Sequence, residues 1–452
     1  MEKDTTIGAR KIAALFDAGT FAEIGAYVRR SDGKESGAVC GYGAVNGKLV
    51  YAFAQDSDRE KGAFDLTVAK KIHALYETAM RNGAPVVGIF DSVGSYMTDG
   101  TDAMAAYGML LADVSRASGV IPQIALIDGV CAGLSATAAA MFDLTVTIEG
   151  KSQLFVGAPF LTGKDGGAES AAADGLSSVT AKDGTDAAAK VRALLGLLPA
   201  SCAALPEEIG NDDPNRVSEV AGLAVRDAIA SVTDRGSFVE IGEKFGAGMV
   251  TGLALLGGYP CGVVANDAAV AGGVLTADGA RKAAKLVSLC NCFGLPVLTL
   301  VDSEGVAADA KEESAPLAAE LGKLAMLYAS ANVAKLTVVL GKAYGAAFTL
   351  MGSKALGADV VYALDGAEIS VMKPEAAVAF LWNDRIGETV TRAELVKKWT
   401  DEEASAVRAA ESGAVDDILN PADLRKYLCG AVNMLLCKDE AALTRKHCNL
   451  PL

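Results

Sequence analysis

The chain has 452 residues, 51% of them hydrophobic and 21% charged, which suits two packed domains and excludes general disorder. A net charge of −15 excludes nucleic acid as a partner, because a phosphate backbone needs a basic footprint. Two histidines and nine scattered cysteines with no CxxC pair argue against a zinc cluster or a disulfide framework, and fit free thiols in a reducing cytoplasm.

The N-terminal residues, Met1 to Thr6, lack the basic-then-apolar pattern of a secretion signal. Gly19-Thr-Phe-Ala-Glu-Ile-Gly25 precedes a strand pair that opens at Gly41 and turns at Asn46-Gly47, a dipeptide favouring a type I′ hairpin. Val68, Ile72, Leu75, Tyr76 and Ala79 then recur at helical spacing. Ala84-Pro-Val-Val-Gly-Ile-Phe-Asp-Ser-Val-Gly94 reads as a buried strand ending in a glycine turn. Gln123-Ile-Ala-Leu-Ile-Asp-Gly-Val-Cys-Ala-Gly133 is a second one, leading into a small-residue helix from Ser135 to Phe142. The apolar window Val120 to Phe142 is interrupted by Gln123 and Asp128, so it falls short of a membrane span.

Beyond a polar stretch around Glu207 to Pro214 the pattern returns. Gly236-Ser-Phe-Val-Glu-Ile-Gly242 repeats the first motif, and Gly257-Gly258 stands at the hairpin turn. Ala283, Leu286, Val287 and Leu289 mark the helix, and Leu295-Pro-Val-Leu-Thr-Leu-Val-Asp-Ser-Glu-Gly305 the buried strand. Gly41 to Gly252 and Gly94 to Gly305 are both shifts of 211 residues, so the chain carries an internal duplication. Lys335-Leu-Thr-Val-Val-Leu-Gly-Lys-Ala-Tyr-Gly345 matches the second strand, with a helix expected from Phe348 to Leu356. Two α/β domains follow, residues 1–206 and 207–452, the second ending in charged helices from Thr391 that close on Pro421-Ala-Asp-Leu-Arg425.

A strand that ends in a glycine turn and opens a helix leaves backbone N–H groups aimed at open space, a natural site for an oxyanion. Each half has two such turns: Ser92–Ser95 with Cys131–Leu134, and Ser303–Val306 with Tyr344–Ala347. One turn alone reads best as an ordinary connection; the duplicated pair points to two stabilised oxyanions. Other chemistries lack their residues. With only His73 and His447 a Ser-His-Asp relay is not expected, and His73 reads as a structural helix residue. Gly41-Tyr-Gly-Ala-Val-Asn-Gly47 sits on a hairpin rather than in a dinucleotide fold, and Gly163-Lys164 lacks P-loop spacing.

Lys342-Ala-Tyr-Gly-Ala-Ala-Phe-Thr-Leu-Met-Gly-Ser-Lys-Ala-Leu-Gly-Ala-Asp359, followed by Ala367-Glu-Ile-Ser-Val-Met372, resembles the KAYGGAY…M.SK.LGAD…AEI.VMG pattern of one family. These are the carboxyltransferase subunits of biotin-dependent acyl-CoA carboxylases and decarboxylases, such as the acetyl- and propionyl-CoA carboxylase beta and methylmalonyl-CoA decarboxylase alpha types. Val264-Ala-Asn266, Val415-Asp-Asp-Ile418 and Lys446-His-Cys-Asn-Leu-Pro451 also match, so the resemblance runs from Ala13 to the C terminus. It implies two tandem crotonase (ClpP-like) domains, each a ββα spiral superhelix, in a homo-oligomer, dimer or hexamer, that pairs the N half of one subunit with the C half of another. It implies an acyl-coenzyme A thioester as substrate and biotin borne on a biotin carboxyl carrier protein, with a biotin carboxylase or a membrane decarboxylase subunit as further partner. The thioester oxygen would be held by Val93, Gly94, Gly133 and Leu134, and the biotin ureido oxygen by Gly305, Val306, Ala346 and Ala347. Thr349 would stand at the position that governs acyl-chain choice.

The sequence departs from the family where these turns lie. Its DSGGAR reads Asp91-Ser-Val-Gly-Ser-Tyr96, its DVPGF reads Asp302-Ser-Glu-Gly-Val306, and its YGGAY reads Tyr344-Gly-Ala-Ala-Phe348. A Val at position 93 is expected to resist positive φ. These changes favour a rival reading as a non-catalytic scaffold paralogue; a malonyl-thioester decarboxylase subunit is a third. Lys373, after Met372, mimics a biotin attachment site, but no biotinyl module surrounds it and a strand end is the expectation.

Overall fold

The computed structural model describes residues 6–30, 32–205, 207–314, 316–387, 390–438, 440 and 449–451. Lys446, His447 and Cys448 of the C-terminal motif lie outside them. The chain forms two compact units, Met1–Leu205 and Pro206–Leu452.

The first unit contains β1 (Ala22–Ile24), β2 (Ala38–Val45), β3 (Lys48–Gln55), β4 (Val86–Ser92), β5 (Gln123–Ala132), β6 (Leu144–Ile148), β7 (Gln153–Phe155) and β8 (Val179–Ala181). They form one sheet in the order β1-β2-β3-β4-β5-β6-β8, with β7 paired to β5. The second unit contains β9 (Val239–Ile241), β10 (Met249–Leu256), β11 (Tyr259–Asn266), β12 (Val297–Ser303), β13 (Lys335–Tyr344), β14 (Val360–Leu364), β15 (Glu368–Ser370) and β16 (Asp417–Leu419). Its sheet runs β9-β10-β11-β12-β13-β14-β16, with β15 on β13. In both, an antiparallel hairpin is followed by parallel strands linked through helices.

The repeated motifs have physical causes. Asn46 and Gly47 have φ of 53° and 75°, and Gly257 and Gly258 of 59° and 86°, the signs a type I′ turn requires. An aspartate holds each hairpin: Asp17 accepts from the Gly47 N–H at 2.9 Å, Asp234 from those of Gly257 at 3.0 Å and Gly258 at 2.8 Å. Gly41 and Gly252 recur because a Cβ would lie 2.4 Å from the Ala22 carbonyl oxygen in one and 2.5 Å from that of Val239 in the other. The helix Leu66–Asn82 starts on an Asp65 cap and buries Val68, Ile72, Leu75, Tyr76 and Ala79. Its counterpart, Ala277–Cys292, starts on Thr276 and buries Ala283, Leu286, Val287 and Leu289.

The helix expected from Phe348 to Leu356 is different. It begins at Ala346 and stops at Leu350, and a separate 3₁₀ turn covers Lys354–Leu356. Between them Gly352, at φ +67°, is wedged against the Thr337 hydroxyl and the Tyr328 ring, which breaks the helical path. The C-terminal helix Leu424–Leu435 is fixed by fully buried Arg425, which donates to the Val232 carbonyl and the Asp234 carboxylate, each at 2.7 Å. His73 binds the buried Asp113 carboxylate at 2.9 Å, a structural tie between helices. Among the described residues the eight cysteines are free, no His/Cys/Asp/Glu group could hold a metal, and no helix is long and apolar enough to cross a membrane.

Candidate active site

Each unit brings two glycine turns together at the ends of adjacent parallel strands. β4 and β5 run in step from Val86↔Gln123 to Phe90↔Ile127, then slip so that Ser92 faces Cys131. β12 and β13 do the same, in step to Val301↔Val339 and then Ser303 against Ala343. An aspartate fills each slip. Asp91 accepts the Val130 N–H at 3.3 Å and occupies the space a Gly129 side chain would need. Asp302 accepts the Lys342 N–H at 2.8 Å and stands likewise over Gly341. The Asp91 charge is met by Lys11 at 2.6 Å.

Positive φ falls on the glycines that were kept. Gly94 and Gly305 have φ of 114° and 130°, while Gly133 (φ 64°, ψ −129°) and Gly345 (φ 58°, ψ −137°) lie where only glycine is comfortable. Val93, Glu304 and Ala346 are not at positive φ, so the strain expected at Val93 does not arise.

The free N–H groups are not all those the sequence pointed to. The Val93 N–H is donated to the Lys61 carbonyl at 3.3 Å and the Gly133 N–H to that of Phe155 at 2.9 Å. The Gly94 and Gly305 N–H groups are returned to the hydroxyls of Ser92 and Ser303, at 3.1 and 3.2 Å. Among the described residues no acceptor takes the N–H of Ser95, Leu134, Val306, Ala346 or Ala347. Register explains the set. Ser95 and Leu134 lie three residues beyond the Ser92↔Cys131 pair, and Val306 and Ala346 three beyond Ser303↔Ala343. The N–H groups of Val93, Gly94, Gly133 and Gly305 are thus turned to partners within the protein, and the unclaimed Ser95 N–H is one that the sequence did not single out. The repeat itself could have found it, since Val306 shifted by 211 is Ser95.

The surroundings differ between the units. In the first, Tyr107 is buried, stacks on Phe64 at 4.6 Å and shares a 2.8 Å hydrogen bond with the buried Ser135 hydroxyl. Burial pushes its phenol up to about 12, against the hydroxyls of Ser135 and Ser92. Phe64 also receives the turn through its backbone, donating to the Gly94 carbonyl at 2.8 Å. Tyr96, where the family carries arginine, lies under the guanidinium of Arg30 at 3.8 Å. In the second unit, Leu275 donates to the Gly305 carbonyl at 2.9 Å, and Glu304 meets Lys342 at 2.9 Å and Lys373 at 2.5 Å. Hydrogen bonds from these two ammoniums hold the Glu304 carboxyl down to about 2. Lys373 lies beyond the end of β15, just before the helix Pro374–Leu381. Thr349 is exposed on the helix Ala346–Leu350, whose cap is Gly345, so its hydroxyl does not cap that helix.

Comparison with known proteins matches the carboxyl transferase domain over residues 3–450. The methylmalonyl-CoA decarboxylase alpha subunit of Veillonella parvula is 33% identical, over 98% of this chain and 92% of its own. The propionyl-CoA carboxylase beta chain of Cereibacter sphaeroides is 34% identical, over 98% and 93%. The structure of the transcarboxylase 12S hexamer, solved with methylmalonyl-coenzyme A and methylmalonic acid bound, superposes with a TM-score of 0.93 at 31% identity, covering 99% of this chain and 93% of that one. The likeness extends to the crotonase-like tandem arrangement of two domains.

Proposed function

We propose, for a chain that belongs to the carboxyl transferase domain family and moves a carboxyl group between biotin and an acyl-coenzyme A thioester, that each unit supplies one of the two oxyanion sites. Ser95 and Leu134 hold the thioester oxygen; Val306 and Ala346, with Ala347 beside them, hold the ureido oxygen of biotin. The observation that carries this reading is the shared register, which leaves a like-placed pair of unclaimed N–H groups in each unit.

Biotin, when bound, would supply or accept the carboxyl group, and its ureido nitrogen would take up or return the α-proton. The chain's own part is electrostatic. As the α-carbon loses a proton or a carboxyl group, negative charge gathers on the thioester oxygen, and two preset N–H donors stabilise it. Each such donor is worth roughly 10²- to 10³-fold in rate. The second pair does the same for the ureido oxygen, and the small, exposed Ala346 leaves the backbone accessible there, while Ala347 is buried behind it. No side-chain base is needed, which agrees with His73 being committed to Asp113. The substitutions that favour a non-catalytic scaffold delete no donor, since Val93 and Glu304 lie outside the unclaimed set and Ala346 retains its N–H.

The named relatives favour propionyl- and methylmalonyl-CoA as the acyl pair, with a biotin carboxyl carrier protein delivering biotin and a biotin carboxylase or membrane decarboxylase subunit completing the cycle in the cytoplasm. One pair per unit, with exposed apolar side chains in each unit (Val93, Met97, Phe160 and Leu161 in the first, Val371 and Phe380 in the second), favours a homo-oligomer in which copies cover one another, a hexamer as in the 12S core. Transcarboxylation with free biotin, run across acetyl-, propionyl-, malonyl-, methylmalonyl- and glutaconyl-CoA, should find the highest turnover on propionyl- and methylmalonyl-CoA; equal turnover on all five would remove that assignment. Light scattering should find the activity in the oligomer; an active monomer would sink the assembly reading.

A further inference from the structure

Two of the departures from the family pattern touch each other. Glu304 stands where the family has proline and Lys373 where it has glycine, 69 positions apart, yet their side chains meet at 2.5 Å. The other carboxylate oxygen of Glu304 takes Lys342 at 2.9 Å, so each oxygen serves one lysine. The Glu304 backbone adds a bond that proline could not make, donating to the Gly272 carbonyl at 2.9 Å. The stem of the side chain lies over Gly272, where a Cβ would come within 3.0 Å of it.

The three residues belong to three segments that frame the second turn pair. Glu304 is in the Val306 turn, Lys342 is three residues before Gly345, and Lys373 follows β15, whose Ser370 carbonyl accepts the Gly345 N–H at 2.8 Å. In the first unit the matching position is Val93, which has no charge to offer. We infer that Glu304 is a positioning residue: its carboxylate, bridging Lys342 and Lys373, fixes the spacing of the Val306 and Ala346 N–H groups in place of the proline's rigidity. The inference rests on the function proposed above and names how its biotin-side half is held.

Glu304→Gln preserves the shape and the backbone bond and removes the charge. It should lower kcat/KM for free biotin roughly fivefold, the scale of an exposed ion-pair network rather than of a lost donor. The KM for acyl-CoA should stay within twofold. Hydrogen exchange of the segment 303–307 should quicken, and that of 92–96 should not. Lys373→Met, which leaves the Lys342 contact, should lose no more than Glu304→Gln, and the double variant should be no worse than Glu304→Gln alone, because the Lys373 contact is already gone there. Glu304→Pro with Lys373→Gly, the family's residues, should recover most of the loss. Losses that multiply in the double variant, or unchanged exchange at 303–307, would overturn the inference. If the unaltered protein shows no biotin-dependent transfer, the function reading falls instead, and the exchange comparison still decides whether the ion pairs hold the turn.

Discussion

In the first unit the turns are locked from within: Tyr107 is buried, its phenol bonded to Ser135 beside Leu134 and its ring stacked on Phe64, which clamps Gly94 through the backbone. In the second unit the lock is on the outside, a carboxylate between two ammoniums that are about half exposed. The backbone that leaves N–H groups unclaimed is alike in both, down to its place three residues beyond each slipped strand pair. Duplication has thus conserved the donors and left the means of holding them free to diverge. A buried hydroxyl bond is insensitive to salt, whereas an exposed ion cluster is screened by it, so the two halves of one reaction should answer differently to the medium.

The largest effect tests what the halves share. Leu134→Pro and Ala346→Pro each delete one unclaimed N–H at the first residue of a helix, where proline is tolerated. Each folded variant should lose about 10²-fold or more in kcat, while alanine or glycine there should not. Full activity in one alone would break the equivalence and leave a single oxyanion site.

Next comes the inner lock. Tyr107→Phe strands the buried Ser135 hydroxyl and should cost about 1–3 kcal/mol in denaturant unfolding. It should reduce kcat/KM for acyl-CoA and spare the KM for biotin, the reverse of Glu304→Gln. Equal loss on both substrates would mean that the phenol supports the unit as a whole.

Thr349→Ile should shift the ratio of kcat/KM between short acyl-CoAs roughly tenfold, since one methylene of pocket fit is worth about 1–3 kcal/mol. Because Thr349 does not cap its helix, the melting temperature should hold; an unchanged ratio with a lowered melting temperature would remove it from the acyl site.

The smallest effect concerns acid. The Glu304 carboxyl is lower when folded than its ordinary value of 4.5, at about 2, so the stability it adds is present above pH 4.5 and fades as pH falls toward 2. The stability difference between the unaltered protein and Glu304→Gln should therefore be flat above pH 5 and shrink below it, as read by urea unfolding. A difference that grew in acid would contradict the pairing.

The sequence by itself determined the duplication, the hairpins at Asn46-Gly47 and Gly257-Gly258, the helix faces built on Val68 and Ala283, and the four glycine turns. Each of these follows from local rules: a φ only glycine or asparagine accepts readily, a helical spacing of apolar residues, a strand run closed by glycine. Tertiary structure decided which N–H groups those turns leave free. The Val93 and Gly133 N–H groups are consumed by carbonyls of Lys61 and Phe155, 32 and 22 positions away, and no spacing rule reaches that far. Long-range packing also ended a helix at Leu350, where Gly352 meets Thr337 and Tyr328, and joined Glu304 to Lys373. Local torsions are written residue by residue; hydrogen-bond partners and ion pairs depend on which strands lie side by side, and only the folded chain sets that.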